Sequence, residues 1–522
     1  MSVPTEKTHG EDQLHEYADR PSARFADGES LAAYTTNASE KEGSSRYAES
    51  DSGLAHVEAS KKTERKLVRK LDVLIMPLAV LLYLSAYLDR GALGNAKLQG
   101  LEEDLLEPNP DTKYSIALSC FFITFSIPGT LAAKALNPSL TISCGALVWS
   151  LATSAQALCQ NATGLYVCRL FGLGEAFFGQ AIAFYLTLWY LKGELAKRVG
   201  LFISAGSVAG AFSGLIAYGV GHINSKLAAW RILFLVEGLP SLALAVVVFF
   251  CLPSRPDKTR YLTAEQKTVA CTRLNSESQG GESMGIQWAG VRYALTDWRL
   301  YIIAISYSAM NLTLGSVSGF LPTIVKGLGY TATDAQLYTV PPYATALGCM
   351  LLMTSLSDRL KSRGIFVVIV YCIGITGWSI LLGVSPINPS EGALRARYFA
   401  CCCLASAGYS NIPLIMAWIA NNSPNESQRA TSLGMLNTIG QCLSILAAFL
   451  FPKSERPRLV KGASTNIAFQ TLGVVLATSM TCYYRYQNRK RDREEGGAPP
   501  KGMHIDGIAT EFDKAKGFRY TV

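Results

Sequence analysis

Charge is what this sequence has least of. Asp, Glu, Lys and Arg supply 17% of its 522 residues, against about a quarter in soluble domains. Those present bunch at the two ends and in a few short loops. Histidine is scarcer still, with five scattered residues and no Cys/His spacing that resembles a metal site. No metal and no cofactor is expected. With no His-rich, Ser-His or Cys-His constellation at the span ends, there is no candidate catalytic residue and the chain does not read as an enzyme. The first sixty residues contain no apolar core segment, which excludes a cleavable signal peptide there; the first true span acts as the signal.

Hydrophobic residues are abundant, at 49%, with a mean hydropathy of +0.21. The thirteen cysteines, including the run Cys401-Cys402-Cys403, lie nearly all in apolar stretches, where a thiol packs as a small apolar group. The composition is that of an all-α integral membrane protein. Its net charge of +9 therefore bears on orientation in a lipid bilayer and gives no reason to expect a nucleic-acid partner.

Apolar stretches of the length that crosses about 30 Å of hydrocarbon fall near Val73–Asn95, Tyr114–Leu136, Leu140–Leu158, Leu165–Leu191, Val199–Ile223, Ile232–Leu252, Tyr301–Val325, Leu337–Leu356, Ile365–Val384, Tyr398–Ala420, Thr431–Phe451 and Ile467–Tyr484. Twelve spans result. The longest internal polar segment divides them into two sets of six. The expected organisation is a disordered cytoplasmic tail (1–69), a six-helix bundle (70–253), a cytoplasmic linker with a short helix capped at Thr263 (254–298), a second six-helix bundle (299–485) and a cytoplasmic tail (486–522). The N-terminal tail, "LKGELAKR", the linker, "SDRLKSRG" and "RYQNRKRDREE" are basic and share one side, and the acidic "LEEDLLEPNPD" lies opposite. Both termini are thus expected in the cytoplasm, although the basic "PKSERPRLVKG" falls outside on this assignment. Acid-to-Arg patterns after the fourth and tenth spans (Glu194 and Arg198; Glu426 and Arg429) echo each other. Two such halves suggest a secondary transporter with its site near the bilayer midplane.

Four ionisable residues sit within spans: Asp89 and Arg90 in "YLSAYLDRGALGNAK", Arg169 and Glu175 in "RLFGLGEAFFGQ". Each is costly in hydrocarbon, which makes function the default reading. Six residues of regular α-helix turn Glu175 roughly 240° from Arg169 and about 9 Å along, so the two do not face each other as an i,i+4 pair does. Each is expected to find its partner on another helix. In a shared cavity the acids would neutralise the arginines. A carboxylate substrate would then compete for Arg, whose planar fork can hold it bidentately. The displaced acid would bind a proton, and anion and proton would favour each other reciprocally. A purely structural role competes with this reading, since Arg169 lies near the external end of its span and can snorkel to the headgroups.

Several blocks in order make the chain resemble a known family: "LDVLIMPLAVLLYLSAYLDRGALGNAKLQGLEEDL", "FYLTLWYLKGELAKRVGLFIS", "WRILFLVEGLPSL", "FLPTIVKGLGYTATDAQLYTVPPY", "LSDRLKSRG" and "WIANNSPNESQRA". They are similar to the anion:cation symporters of the major facilitator superfamily, in the fungal allantoate permease-like branch. The resemblance implies twelve helices in two bundles, alternating access, and proton-coupled symport of a small organic anion such as a vitamin or nitrogen-source carboxylate. It implies anion binding by Arg90 and Arg169, proton coupling by Asp89 and Glu175, and gating by Asp358 and Arg359, with Arg198 and Arg429 at matching loops. The family commonly separates its fourth-span Arg and Glu by seven residues; here the spacing is six, which requires either a local bulge or separate action. In the first half, "AAKALNPS" lacks the Asp of the loop motif. Gln180 stands where it could offer an amide to substrate, and Tyr307, Asn311, Tyr343 and Asn437, with Asn411, could complete the site from the second half. Asn311 and Asn161 also match glycosylation sequons. A proton-antiport exporter of a metabolite or drug and a non-transporting anion sensor are the competing readings. A monomer in the plasma membrane is expected.

Overall fold

The structure, a computed structural model, describes residues 36–125, 137–277, 287–385, 390–452, 454, 458–499 and 507–522. The chain divides into two compact units, Met1–Thr63 and Glu64–Val522. In the first unit, residues 36–63 are helical. The second holds everything that follows.

The first set of spans begins with α1 (Thr36–Ala96), continued by a π-helical segment (Lys97–Leu106), then α2 (Pro110–Phe125) and α3 (Pro138–Gln156). A broken pair follows, α4 (Ala162–Phe171) and α5 (Leu173–Thr187), then α6 (Lys192–Gly221) and α7 (Ala229–Cys251). The linker carries α8 (Ala264–Glu277) and α9 (Trp288–Thr296). The second set comprises α10 (Trp298–Lys326), the short α11 (Ala332–Leu337), α12 (Val340–Leu360), α13 (Gly364–Gly383) and α14 (Glu391–Asn422). It ends with α15 (Glu426–Gly440), α16 (Cys442–Ala447) and α17 (Val460–Glu494), and the four-residue α18 (Ile508–Glu511) lies in the C-terminal segment. Each of the twelve expected spans is mostly helical where it is described, with breaks or frayed ends in several; 126–136 of the second lie outside the described residues. Seven of the described helical segments are long and apolar enough to cross a membrane by themselves. Helix is what hydrocarbon demands, because it satisfies every backbone group within the segment.

Small residues set the packing distances. A Cβ on Gly174 would lie 2.2 Å from the carbonyl oxygen of Gly145, and one on Gly238 would lie 2.7 Å from Ser154 Oγ. Helix α3 is thereby held against α5 on one side and α7 on the other at backbone contact, the close approach that small residues permit in membranes.

Two boundaries differ from expectation. The tail expected over 1–69 overlaps α1, because Leu67, Leu71 and Ile75 recur every four residues and are fully buried. The C-terminal tail expected from 486 is not a simple extension. Helix α17 continues to Glu494, and Phe512, Phe518 and Tyr520 are buried. The last residues bond to the C-terminal turn of α14: Trp418 Nε1 donates to Thr521 O at 2.9 Å, and Thr521 N donates to Asn422 Oδ1 at 2.8 Å.

Within the linker, Thr263 caps α8 as expected and does so reciprocally. Gln266 N donates to Thr263 Oγ1, and Thr263 N to Gln266 Oε1, each at 3.3 Å. Arg273 then ties α8 to the first bundle through Glu194 at 3.2 Å and Glu64 at 3.5 Å.

Candidate functional site

The break between α4 and α5 determines where Arg169 and Glu175 point. Gly172 N donates to Arg169 O at 3.2 Å, and Glu175 N donates to Gly172 O at 2.9 Å. Both bonds span three residues. Bonds of this kind belong to the tighter winding of 3.0 residues per turn, so the chain is overwound locally at Gly172. No π-bulge falls at this break. The break does not pair the two residues.

Glu175 instead pairs with Arg90 on α1, Nη2 to Oε1 at 2.6 Å, with both side chains buried. The Arg90 guanidinium also lies 4.4 Å from the Tyr87 ring centroid and 5.1 Å from that of Phe121, within cation–π range. Asp89, one residue earlier, turns away to α3, where Trp149 Nε1 donates to its Oδ2 at 2.7 Å. The α3–α5 and α3–α7 contacts described above hold that tryptophan in place. Arg169 is 4% exposed. Its Nε and Nη2 find no hydrogen-bond partner among the described residues, while Asp89, Glu175, Glu237 and Tyr114 are its electrostatic neighbours.

A cavity of about 60 Å³ opens beside the Arg90–Glu175 pair. The first set of spans contributes Tyr83, Tyr87 and Phe178 to it along with the pair. The second contributes Tyr307 and Asn311 from α10, Asn437 from α15, and Gln441. Tyr343 lines a smaller cavity of about 10 Å³ that shares Tyr87 and Arg90 with the first. Arg90, Glu175, Tyr307, Asn311 and Asn437 thus meet at one cavity and Tyr343 stands one layer away. Asp89 and Arg169 stand behind the cavity wall, and the side chain of Gln180 lies outside the described residues. Asn411 is fully buried, with neither amide atom hydrogen-bonded among the described residues. Asn311 is 1% exposed, which removes it from reach as a glycosylation site. Asn161 uses its side chain to cap α4, accepting from Gly164 N at 2.8 Å.

The two sets of spans close on each other at one end. Tyr114 hydroxyl donates to Gly319 O at 2.9 Å and Ser115 hydroxyl to Ala448 O at 2.6 Å. Gln336 Nε2 donates to Asn95 O at 3.2 Å. Helix α6 lies so near α11 and α12 that a Cβ on Gly210 would stand 2.5 Å from the Tyr343 ring, and one on Gly214 would stand 2.5 Å from Thr339 Oγ1. This seam lies away from the end at which α1 enters and α17 leaves. The larger cavity is on the other side of it, reaching Val199 near the start of α6.

At the entry end, Arg198 bonds Asp72 through two nitrogens, at 2.6 and 2.8 Å. Arg429 donates to the carbonyls of Ala420 and Ser423, each at 3.1 Å, closing the C-terminus of α14. Asp358 pairs with Arg363 at 2.5 Å, and Arg359 is exposed.

Two features escaped sequence reasoning. Glu237 on α7 is 2% exposed. It bore the same signal as Glu175, an acid in the middle of a span, but stood inside a block read only for its resemblance. Lys97 and Glu102 form a second buried pair at 3.0 Å, with Lys97 Nζ 4.0 Å from the Tyr114 ring centroid.

The family model of the Major Facilitator Superfamily matches residues 79–449. The chain belongs to this superfamily. It is 31% identical to the MFS-type transporter efuF of Hormonema carpetanum over 86% of this chain and 90% of that protein. It is 29% identical to the major facilitator-type transporter hxnP of Emericella nidulans over 90% and 96%. Among solved structures, the inward open xylose transporter XylE from E. coli aligns with a TM-score of 0.60 at 15% identity, over 78% of this chain and 94% of that one. The inward-facing, occupied bacterial homolog of the human lysosomal transporter Spinster aligns at 0.56 and 14%, over 77% and 95%. These structures establish the major facilitator fold of two six-helix bundles. The protein is a multi-pass integral membrane transporter of the superfamily, and not an enzyme.

Proposed function

We propose that this transporter is a proton-coupled symporter of a small organic anion, a carboxylate, in the anion:cation symporter branch of the superfamily. One observation supports this above the others. The guanidinium of Arg90 stands at the wall of the cavity between the bundles, held by Glu175 at 2.6 Å. A carboxylate entering the cavity competes with Glu175 for the same planar fork. Glu175, displaced into a low-dielectric wall without its counter-charge, takes up a proton. The amides of Asn311, Asn437 and Gln441 face the anion from the opposite bundle, so binding draws the bundles together around it. Release of the anion returns Glu175 to Arg90 and expels the proton. The coupling is the difference between these two states of one pair. The basic loops on one side of the membrane support cytoplasmic termini.

Uptake of a panel of labelled carboxylates by cells expressing the protein tests this reading. Uptake of at least one should rise as the external pH falls. Glu175→Gln, which keeps the shape but cannot ionise, should lose that pH dependence while still exchanging anion for anion. If no carboxylate enters and a loaded compound is instead expelled at the expense of the proton gradient, the symport reading is wrong and the exporter replaces it.

A further inference from the structure

Among the described residues, the first bundle buries more acid than base. Asp89, Glu175 and Glu237 stand against Arg90 and Arg169, which leaves one net negative charge if all five ionise. A surplus buried charge costs several kcal/mol, so the five groups together favour one bound proton. Glu175 is already matched by Arg90. The surplus falls on Asp89 and Glu237, each of which has one oxygen without a hydrogen-bond partner among the described residues.

Glu237 differs from Asp89 in what its other oxygen touches. Ser213 Oγ donates to Glu237 Oε1 at 3.1 Å, and Asn95 Nδ2 donates to Ser213 Oγ at 2.8 Å. The carbonyl of the same Asn95 accepts from Gln336 Nε2 on the opposite bundle at 3.2 Å. A run of hydrogen bonds therefore leads from a buried carboxyl to the seam. An amide nitrogen can only donate, so Ser213 accepts from Asn95 and its own proton is free for the carboxylate. When Glu237 carries a proton on that oxygen, the bond reverses and Ser213 must turn its proton elsewhere. The packing leaves little slack for this, since a Cβ on Gly91 would lie 3.2 Å from Ser213 Oγ.

We propose that Glu237 is a second proton-coupling residue, wired through Ser213 and Asn95 to the seam that closes the bundles at the far end. The inference rests on the reading of the protein as proton-coupled and adds the element that reports the proton to the gate. Among the elements packed against α7, α1 presents Asp89, and Arg169 reaches Glu237 from α4. The π-helical segment presents Lys97 and Glu102, which pair with each other, and Asp104, which accepts from Trp230 Nε1 at 2.8 Å. Helix α3 carries no Asp, Glu, Lys or Arg, and those of α6 lie in its first two turns. Ser213 and Asn95 act as positioning residues.

Two ligand-free measurements on the purified full chain test the proposal. The first is an infrared titration of the carboxyl C=O stretch. Glu237→Gln should remove one band of a buried protonated carboxyl that Glu175→Gln leaves in place. The second is the rate at which a soluble maleimide labels a cysteine placed at Thr333, beside Gly221 at the seam, measured as the increment over the parent chain. Divided at each pH by the rate for the same cysteine in the unfolded chain, which removes the thiol's own ionisation, that rate should depend on pH, by up to tenfold per pH unit where one proton is coupled. Glu237→Gln should abolish the dependence, and so should Ser213→Ala, which cuts the connection but keeps the carboxyl and its band. The proposal is overturned if Glu237→Gln leaves every carboxyl band in place, or if Ser213→Ala labels with the pH dependence of the parent. Neither readout involves a substrate. Pure failure of the symport reading would show as pH-independent uptake with these two results intact.

Discussion

The two bundles answer the membrane differently. The first buries its polarity as charge: Asp89, Arg90, Lys97, Glu102, Arg169, Glu175 and Glu237 all lie inside it. The second buries neutral groups. Thr313 accepts from Gln470 Nε2 at 2.7 Å and from Trp378 Nε1 at 3.1 Å, and donates to Asn466 Oδ1 at 2.9 Å. Its buried Arg299 and Arg397 sit near the ends of their helices. Neutral networks position and recognise, since each bond is worth about 1 kcal/mol. Charged groups can in addition exchange protons and respond to voltage. On the symport reading, coupling falls to the first bundle, which also holds the anion's Arg90, and the second bundle completes recognition with neutral groups across the cavity.

The comparison is broken most severely at Arg90. Arg90→Ala removes the cation that would hold the anion and leaves Glu175 buried without its partner, a change that costs about 3–5 kcal/mol of stability when a buried pair loses one member. Transport should fall by about a hundredfold or more, with a lowered melting temperature. Adding Glu175→Gln should restore much of the melting temperature and none of the transport, because it removes the orphaned charge without returning the anion site. Recovery of transport in the double variant would contradict the assignment of anion binding to the first bundle.

The next effect is at the seam. Gly210→Leu forces a side chain against Tyr343, whose ring would stand 2.5 Å from even a Cβ there. The far end should then fail to close. Transport should drop about tenfold, the size of a shift of about 1.4 kcal/mol between two states. A maleimide should label a cysteine at Thr333 faster in this variant. Unchanged labelling would show that the seam yields at no cost.

Much of this division is legible in the sequence, though not its pairings. Twelve apolar stretches appear because a bilayer imposes a minimum length on each. The mid-span charges stand out because so little else there is polar. Which charge meets which cannot be read, since Arg90 and Glu175 are 85 positions apart and their partnership depends on the packing of α1 against α5. The six-residue spacing of Arg169 and Glu175 implies a fixed angle between them only in a regular helix, and the break at Gly172 makes the helix irregular there. The docked C-terminus went unseen for another reason. Its aromatics Phe512, Phe518 and Tyr520 are spread through a charged segment, and only the folded bundle supplies the surface that makes them core.

A finer test lies in the second bundle. Asn437→Ala removes one amide from the cavity and no charge. It should raise KM by about three- to tenfold, the worth of one hydrogen bond, while the pH profile of transport keeps its midpoint. A displaced midpoint would mean that the second bundle takes part in coupling.

The smallest effect on transport is expected where the second bundle meets its own C-terminus. Asp513 is 1% exposed and lies against Arg299, with Tyr293 donating to Oδ1 and Tyr520 to Oδ2, each at 2.5 Å. Burial alone would push its carboxyl up, but the bonds and charge of Arg299, with both hydroxyls, hold it below the usual carboxylate range. A group depressed in this way stabilises the docked state at every pH above its unfolded value, about 3.9. The contribution is lost only as pH falls through the lower, folded value. Protection of the tail from a carboxypeptidase should therefore be flat from about pH 5 to 8. In Asp513→Asn the tail should be digested faster across that whole range, because the amide offers Arg299 no counter-charge, while transport should change less than about twofold, since Arg299 keeps Asp297 at 2.7 Å. A variant tail that stays fully protected would mean that the aromatics, and not the ion pair, hold it down. A large loss of transport would mean that coupling is not confined to the first bundle.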